Sequence, residues 1–181
     1  MRFIKIAAVL LILVPALSTG TELVPDWRLT TADGGSVRLS QEVQEQPVIL
    51  FFWATWCPYC KALMPHLQSI KLELGDDVEI LAINFRDKGD PVAFVEAAGY
   101  DFIVLADGDD VAKLYGIHGT PGVLIVDRDQ VLRFDLRALP QHEIPSNADE
   151  LSHAKKAAYR APYWAAEIRR SLDLVLEGAV D

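Results

Sequence analysis

Residues 51–65 read FFWATWCPYCKALMP and are the most informative segment of this chain. An apolar run over 48–53 leads into Cys57-Pro58-Tyr59-Cys60, and a helical pattern follows. These two cysteines are the only ones in the chain. Residues one turn apart at the start of a helix share a face, so the two sulfurs are placed to bond to each other.

The position of Cys57 at a helix N-terminus has a chemical consequence. Free backbone N–H groups and the helix dipole favour its thiolate, so we expect Cys57 to be the exposed nucleophile with a lowered pKa. Cys60 lies one turn further in and is the expected resolving thiol. This pair is the minimum needed for thiol–disulfide exchange.

Two other interpretations of the cysteine pair fit the sequence less well. A structural zinc site needs four ligands, and the chain has no second cysteine pair. Two inert, buried cysteines are also conceivable, but a CxxC that opens a helix after a buried strand is typical of redox motifs.

The segment FFWATWCPYCKALMP resembles the active-site segment of the thioredoxin superfamily. The longer chain resembles its TlpA/ResA-like branch of exported thiol–disulfide oxidoreductases. The resemblance implies an α/β thioredoxin fold with a central mixed sheet flanked by helices. It further implies an N-terminal β-hairpin, a central helix–strand insertion and an extended helical C-terminus.

A second motif, Gly-x-x-Gly-Thr-Pro, ends at Pro121. In thioredoxin-like proteins such a loop carries a cis-proline packed against the CxxC, so the resemblance implies a cis Thr120-Pro121 bond beside the sulfurs. A substrate peptide could pair with the backbone of Thr120. With Trp56, Pro58 and Tyr59, these two residues are the expected substrate-binding set.

The resemblance implies exchange with protein disulfides or thiols, and an electron-donor protein as the second partner. We expect a reductant that works as a monomer without a cofactor beyond the Cys57–Cys60 disulfide; a disulfide-donating oxidase or isomerase is the alternative. Two departures bear on this expectation. Phe51 and Leu63 stand where relatives carry carboxylates, so Cys60 lacks an obvious proton acceptor.

A metal-handling function is an alternative from another class. Cys57, Cys60 and His118 would come together if the proline loop abuts the motif, and two thiolates with an imidazole suit copper(I) or zinc. A peroxidase is disfavoured because Ala54 replaces the threonine of the peroxidatic T-x-x-C pattern.

Composition predicts one exported domain. The chain has 181 residues, is 51% hydrophobic and carries a net charge of −9, which argues against a nucleic-acid partner. Arg2 and Lys5 precede an uncharged run over 6–17, as in a secretory signal. We therefore expect a signal peptide over 1–18, or an uncleaved anchor that is the only membrane contact. The thioredoxin-like domain would cover 22–181, in the periplasm or secreted.

Hydrophobic periodicity predicts the remaining elements. They are two strands within 23–39, a helical turn capped by Ser40, a strand over 48–53, a helix to 74, a strand over 78–85, a helix over 91–98, a strand over 101–106, a helix over 109–115, a hairpin over 123–126 and 131–136, a loop over 139–147, and helices over 148–159 and 162–177. The last helix should bury Trp164, Ile168, Leu172 and Leu176. Lys155, Lys156 and Arg160 should lie on a solvated face.

Overall fold

The computed structural model describes residues 23–140 and 151–178. The predicted signal segment 1–18 and the start of the predicted helix over 148–159 lie outside these residues. In chain order the elements are β1 (Arg28–Thr30), β2 (Ser36–Arg38), α1 (Leu39–Glu45), β3 (Val48–Trp53), α2 (Pro58–Leu74), a 3-10 turn (Gly75–Asp77), β4 (Glu79–Asn84), α3 (Pro91–Ala98), β5 (Ile103–Leu105), α4 (Asp109–Leu114), β6 (Gly122–Val126), β7 (Leu132–Asp135), a second 3-10 turn (Leu136–Ala138) and α5 (His153–Leu176).

The five-stranded sheet is mixed, with the strand order β5-β4-β3-β6-β7. Strands β3, β4 and β5 run parallel, whereas β6 is antiparallel to both β3 and β7. The hairpin of β1 and β2 forms a separate two-stranded sheet. This arrangement confirms the predicted α/β thioredoxin-like fold with its N-terminal hairpin and its inserted α3 and β5.

Strand β3 lies at the centre of the sheet, and all six of its residues are buried. Successive side chains point to opposite faces, so Phe51 and Trp53 join the core under α2 and α5, while Leu50 and Phe52 join the core under the hairpin, α1 and α4. A strand covered on both faces must be apolar throughout, which explains the continuous run.

Local end signals fix two helices as the sequence predicts. Helix α2 has Cys57 as its N-cap and Pro58 in its first turn, and it continues through Pro65 to Leu74. Helix α3 is capped by the Asp90 carboxylate, which accepts from the backbone N–H of Ala93. It ends at Gly99, whose left-handed φ of 68° suits glycine.

The C-terminal region corrects the predicted helix pair. A single helix, α5, runs from His153 to Leu176 with Pro162 inside it. Proline removes one backbone donor and disfavours a helix interior, but buried residues on both sides of it, including Ala157 and Ile168, hold the helix against the rest of the molecule. Leu176, the last residue of α5, was predicted to be buried and is 40% exposed.

The predicted Ser40 cap is also wrong. Helix α1 already begins at Leu39, whose side chain is fully buried, and its N-cap residue Arg38 makes no side-chain cap. The Ser40 hydroxyl instead donates to Asp26, 3.0 Å away. Tertiary burial of Leu39 thus sets where this short helix starts.

The segment before the hairpin is tied to α4 by one phenol. The Tyr115 hydroxyl donates to the Pro25 carbonyl at 2.6 Å and accepts from the Trp27 indole N–H at 3.2 Å. Burial raises the pKa of Tyr115, so it stays a neutral donor at physiological pH. In the two described stretches, no helix is both long and apolar enough to cross a bilayer.

Candidate active site

The two cysteines form a disulfide at the N-terminus of α2, with their Cα atoms 5.3 Å apart. The Cys57 sulfur accepts from the backbone N–H of Cys60 at 3.0 Å. The Cys57 N–H in turn donates to the Ala54 carbonyl at 3.0 Å. A sulfur that caps a helix N-terminus faces unpaired N–H groups, so on reduction this position favours the Cys57 thiolate.

The expected difference in exposure between the cysteines is wrong for this disulfide-bonded state. Cys57 is 1% exposed and Cys60 is fully buried. Both belong to the core cluster that contains Trp53, Ala54 and Leu63. An incoming sulfur can therefore reach Cys57 only if groups at the rim of the site move slightly.

Trp56 precedes the disulfide and is 60% exposed. Its indole N–H donates to the Arg86 carbonyl at 3.0 Å, which fixes the ring over the loop that follows β4. A large, fixed aromatic surface beside a reactive sulfur is suited to contact with a bound polypeptide.

The Tyr59 ring is held in place by side chains of α5. Its ring lies 6.0 Å from the His153 ring and 6.1 Å from the Trp164 ring, and the Arg160 guanidinium lies 5.9 Å from its centre. Arg160, which was predicted to lie on a solvated face, is half-buried, whereas Lys155 is exposed as predicted. The sequence alone could not show that the first turns of α5 reach the residues between the cysteines.

The proline loop lies at the same end of the sheet as the disulfide. The Thr120–Pro121 peptide bond is cis. Strand β6 begins at the next residue, Gly122, which pairs with Phe52 near the end of β3. A Cβ on Gly122 would lie 2.9 Å from the Ile117 side chain and 3.2 Å from that of Phe52, so this close approach requires glycine.

The residues expected for the copper-handling alternative do not form a ligand cluster in the described part of the chain. His118 is exposed on the proline loop, and its carbonyl accepts from the Arg86 guanidinium at 2.9 Å. Within residues 23–140 and 151–178, no group of three or more histidine, cysteine or acidic side chains could hold a metal ion. Cys57 and Cys60 are bonded to each other, and His118 does not join them in such a group.

Asp87 is a site residue that the sequence analysis missed. Its carboxylate accepts from the Thr55 N–H and hydroxyl, from the Asn84 amide, and from the N–H groups of Lys88 and Gly89. Its position was a usable signal: Asp87 follows β4, and the carboxyl ends of neighbouring parallel strands meet at one edge of a sheet.

These hydrogen bonds set the charge of Asp87. Partial burial acts to raise its pKa, but the donors from Asn84, Thr55 and Gly89 outweigh it and hold the pKa well below its usual range. An acid of so low a pKa is a poor proton acceptor. Asp87 therefore does not replace the carboxylates absent at Phe51 and Leu63, both of which are fully buried.

Comparison with known proteins places this geometry in a family. A sequence profile described as the AhpC/TSA family matches residues 21–135. The thiol:disulfide interchange protein DsbE of Escherichia coli K12 is 28% identical over 116 residues, which cover 61% of this chain and 61% of that protein. The thiol-disulfide oxidoreductase ResA of Halalkalibacterium halodurans is 32% identical over 115 residues, covering 62% of this chain and 65% of that protein. The match thus spans less than two thirds of each relative.

A solved structure shows the same fold. The crystal structure of an uncharacterized conserved protein from Geobacillus kaustophilus superposes with a TM-score of 0.67 at 25% identity. It covers 87% of this chain and 82% of that chain. The similarity therefore extends over the sheet and its helices rather than over the CxxC segment alone.

Proposed function

This chain belongs to the AhpC/TSA family, and on that premise we propose that it is an exported thiol–disulfide oxidoreductase acting on partner proteins. The observation that carries the proposal is the Cys57–Cys60 disulfide at the start of α2, at the same sheet edge as the Thr120–Pro121 segment that leads into β6. The names of the DsbE and ResA relatives support it.

In the proposed reaction the reduced pair transfers two electrons to a partner disulfide. The Cys57 thiolate attacks one sulfur of that disulfide, forms a mixed disulfide and releases the other sulfur as a thiolate, which takes up a proton. Cys60 then attacks the Cys57 sulfur, and its proton passes to the partner sulfur that leaves. The Cys57–Cys60 disulfide forms, and the second partner thiol is released. A separate donor protein must then reduce the pair again.

Burial makes the second step the demanding one. Cys60 has no solvent exposure and lies among apolar side chains, so its thiolate is costly to form. With Phe51 and Leu63 in place of acids, the leaving thiolate of the substrate is the base at hand. We infer that proton transfer occurs directly within the mixed disulfide.

The substrate contacts follow from the same geometry. We propose that a partner peptide lies in an extended form along the backbone of Thr120 and Pro121 and against the exposed Trp56 ring. Pro58 and Tyr59 would limit the approach, with Tyr59 acting through its contacts with α5. We propose the direction of transfer, reduction of the partner, from the resemblance to the TlpA/ResA-like branch.

Location and partners complete the proposal. The basic and apolar pattern of 1–18 supports export. In an oxidising compartment a pair of thiols can act as a reductant only when a donor keeps it reduced. The acidic chain favours protein partners over nucleic acid.

A trapping experiment tests the two cysteine roles. The Cys60→Ala variant lacks the resolving thiol, so it should accumulate mixed disulfides with a synthetic peptide that carries one disulfide, seen by mass spectrometry of alkylated samples. Cys57→Ala is the matched control and should trap none. Equal trapping by both variants, or none by either, would contradict the assigned roles.

A further inference from the structure

Arg86, which follows β4 and Phe85, connects the two loops that flank the disulfide. The backbone carbonyl of Arg86 accepts from the Trp56 indole at 3.0 Å, on the CxxC side. Its guanidinium donates to the His118 carbonyl at 2.9 Å, on the proline-loop side. One residue thus bonds to both sides of the site, through its backbone in one direction and its side chain in the other.

The backbone of Arg86 is itself held in an uncommon shape. Its φ of 51° lies in the left-handed region, which residues other than glycine seldom adopt. Its N–H donates to the Asp109 carboxylate at the start of α4, 3.3 Å away, and its guanidinium lies 5.7 Å from the centre of the Phe85 ring. A conformation of this kind persists only where the surroundings fix it.

The residues that follow Arg86 attach the same loop to the CxxC turn. The Asp87 carboxylate accepts both the N–H and the hydroxyl of Thr55. A Cβ on Gly89 would lie only 2.3 Å from the Thr55 hydroxyl oxygen. The loop therefore lies directly against the turn that leads into Cys57, and Arg86 extends this contact across to the proline loop.

We propose that Arg86 is a positioning residue for peptide substrates: it fixes the distance between the CxxC turn and the Thr120–Pro121 edge. This inference rests on the proposed function. A peptide that pairs with Thr120 must also place its sulfur against Cys57, so both sides must keep one spacing. A misplacement of about 1 Å can cost about 100-fold in rate.

The guanidinium of Arg86 is suited to this role because it donates to a backbone carbonyl rather than to a carboxylate. It donates to the His118 carbonyl at 2.9 Å, and its planar group gives this bond a fixed direction. A small disulfide makes no contact with the Thr120 backbone, so its exchange should not depend on that spacing. Arg86 should therefore affect large and small substrates differently, which a general loss of stability would not do.

The test compares two disulfides as substrates of the reduced protein. One is a synthetic peptide with a single disulfide, and the other is the small disulfide of β-mercaptoethanol. We expect Arg86→Ala to lower kcat/KM for the peptide by about 10-fold or more while the rate with the small disulfide and the midpoint potential stay unchanged. Arg86→Lys keeps a donor and should restore part of the loss.

Lys88→Ala is the matched control, because Lys88 is an exposed cation in the same loop. It should leave both rates unchanged. If Arg86→Ala does not fold, Asp109→Ala releases the Arg86 backbone and should show a smaller loss for the peptide only. Equal losses for both substrates, or none for the peptide, would overturn the inference alone. Failure of the unaltered protein with both substrates would overturn the proposed function as well.

Discussion

Replacing Asp87 by Asn tests whether its hydrogen bonds hold the active-site loops together. One carboxylate oxygen accepts from the Thr55 N–H and the Asn84 amide, and the other accepts from the Thr55 hydroxyl and from two backbone N–H groups. An Asn side chain turns one acceptor into a donor. In either orientation it faces at least two donors with its own N–H₂ group.

The size of the effect follows from these two lost bonds. An unsatisfied donor in a half-buried position costs about 1–1.5 kcal/mol, at the low end of the range for buried groups. We therefore expect Asp87→Asn to lower the free energy of unfolding by about 2–3 kcal/mol. Urea unfolding of the oxidised protein, followed by tryptophan fluorescence, measures it.

Asp90→Asn is the matched control in the same loop. Asp90 caps α3 by accepting from the Ala93 N–H at 3.0 Å, and Asn caps helices about as well as Asp. Both variants remove one negative charge, but the control should change the free energy of unfolding by less than about 0.5 kcal/mol. If the two variants are equally stable, the reasoning about Asp87 is wrong.

We also expect the difference in stability between the unaltered protein and Asp87→Asn to depend on pH. Because the folded protein holds the pKa of Asp87 below its usual value, the stability that its ionisation contributes is fully present above the unfolded pKa of about 3.9. It is lost as the pH falls from there through the folded pKa. The gap between the unaltered protein and Asp87→Asn should stay constant from about pH 8 to about pH 5 and narrow below about pH 4.

Three further substitutions test other contacts, each by urea unfolding. Gly89→Ala places a Cβ 2.3 Å from the Thr55 hydroxyl oxygen and should lower the free energy of unfolding by about 1–3 kcal/mol. A second change, Thr55→Ala, should recover part of this loss. Full additivity of the two changes would argue against a collision. Tyr115→Phe removes the hydroxyl that bonds to two partners near the N-terminal hairpin and should lower the free energy of unfolding by about 1–2 kcal/mol. No loss would mean that other contacts hold the hairpin in place. Lys71→Ala removes a buried ammonium that bonds to two carbonyls and to the Glu79 carboxylate at 3.1 Å, and should cost about 3 kcal/mol, unlike the same change at an exposed lysine.

The sequence predicts well those features that depend on neighbouring residues. The apolar run Val48–Trp53 has the observed bounds of β3, because a strand buried on both faces leaves a continuous signal. Helix α3 has the predicted bounds 91–98, because the cap at Asp90 and the left-handed end at Gly99 act within one turn.

Contacts between distant segments are what the sequence could not provide. Helix α5 continues through Pro162 because packing on both sides of it outweighs the local preference of proline. The Asp87 carboxylate accepts from the Thr55 N–H, and the Tyr59 ring packs against α5. The hydrophobic pattern within one segment cannot predict such contacts with another. The burial of Cys57 likewise depends on how the completed core closes around the disulfide.

The most direct test of the whole account is the reduction potential of the Cys57–Cys60 pair, measured against glutathione and dithiothreitol buffers. A reductant that exchanges disulfides with partners should give a reversible two-electron couple between about −270 mV and about −200 mV, the values for thioredoxin and glutaredoxins. A potential below about −300 mV would mark a structural disulfide, and one near −120 mV would mark a strong oxidant. The first result would contradict the proposed function, and the second would contradict the proposed direction of transfer.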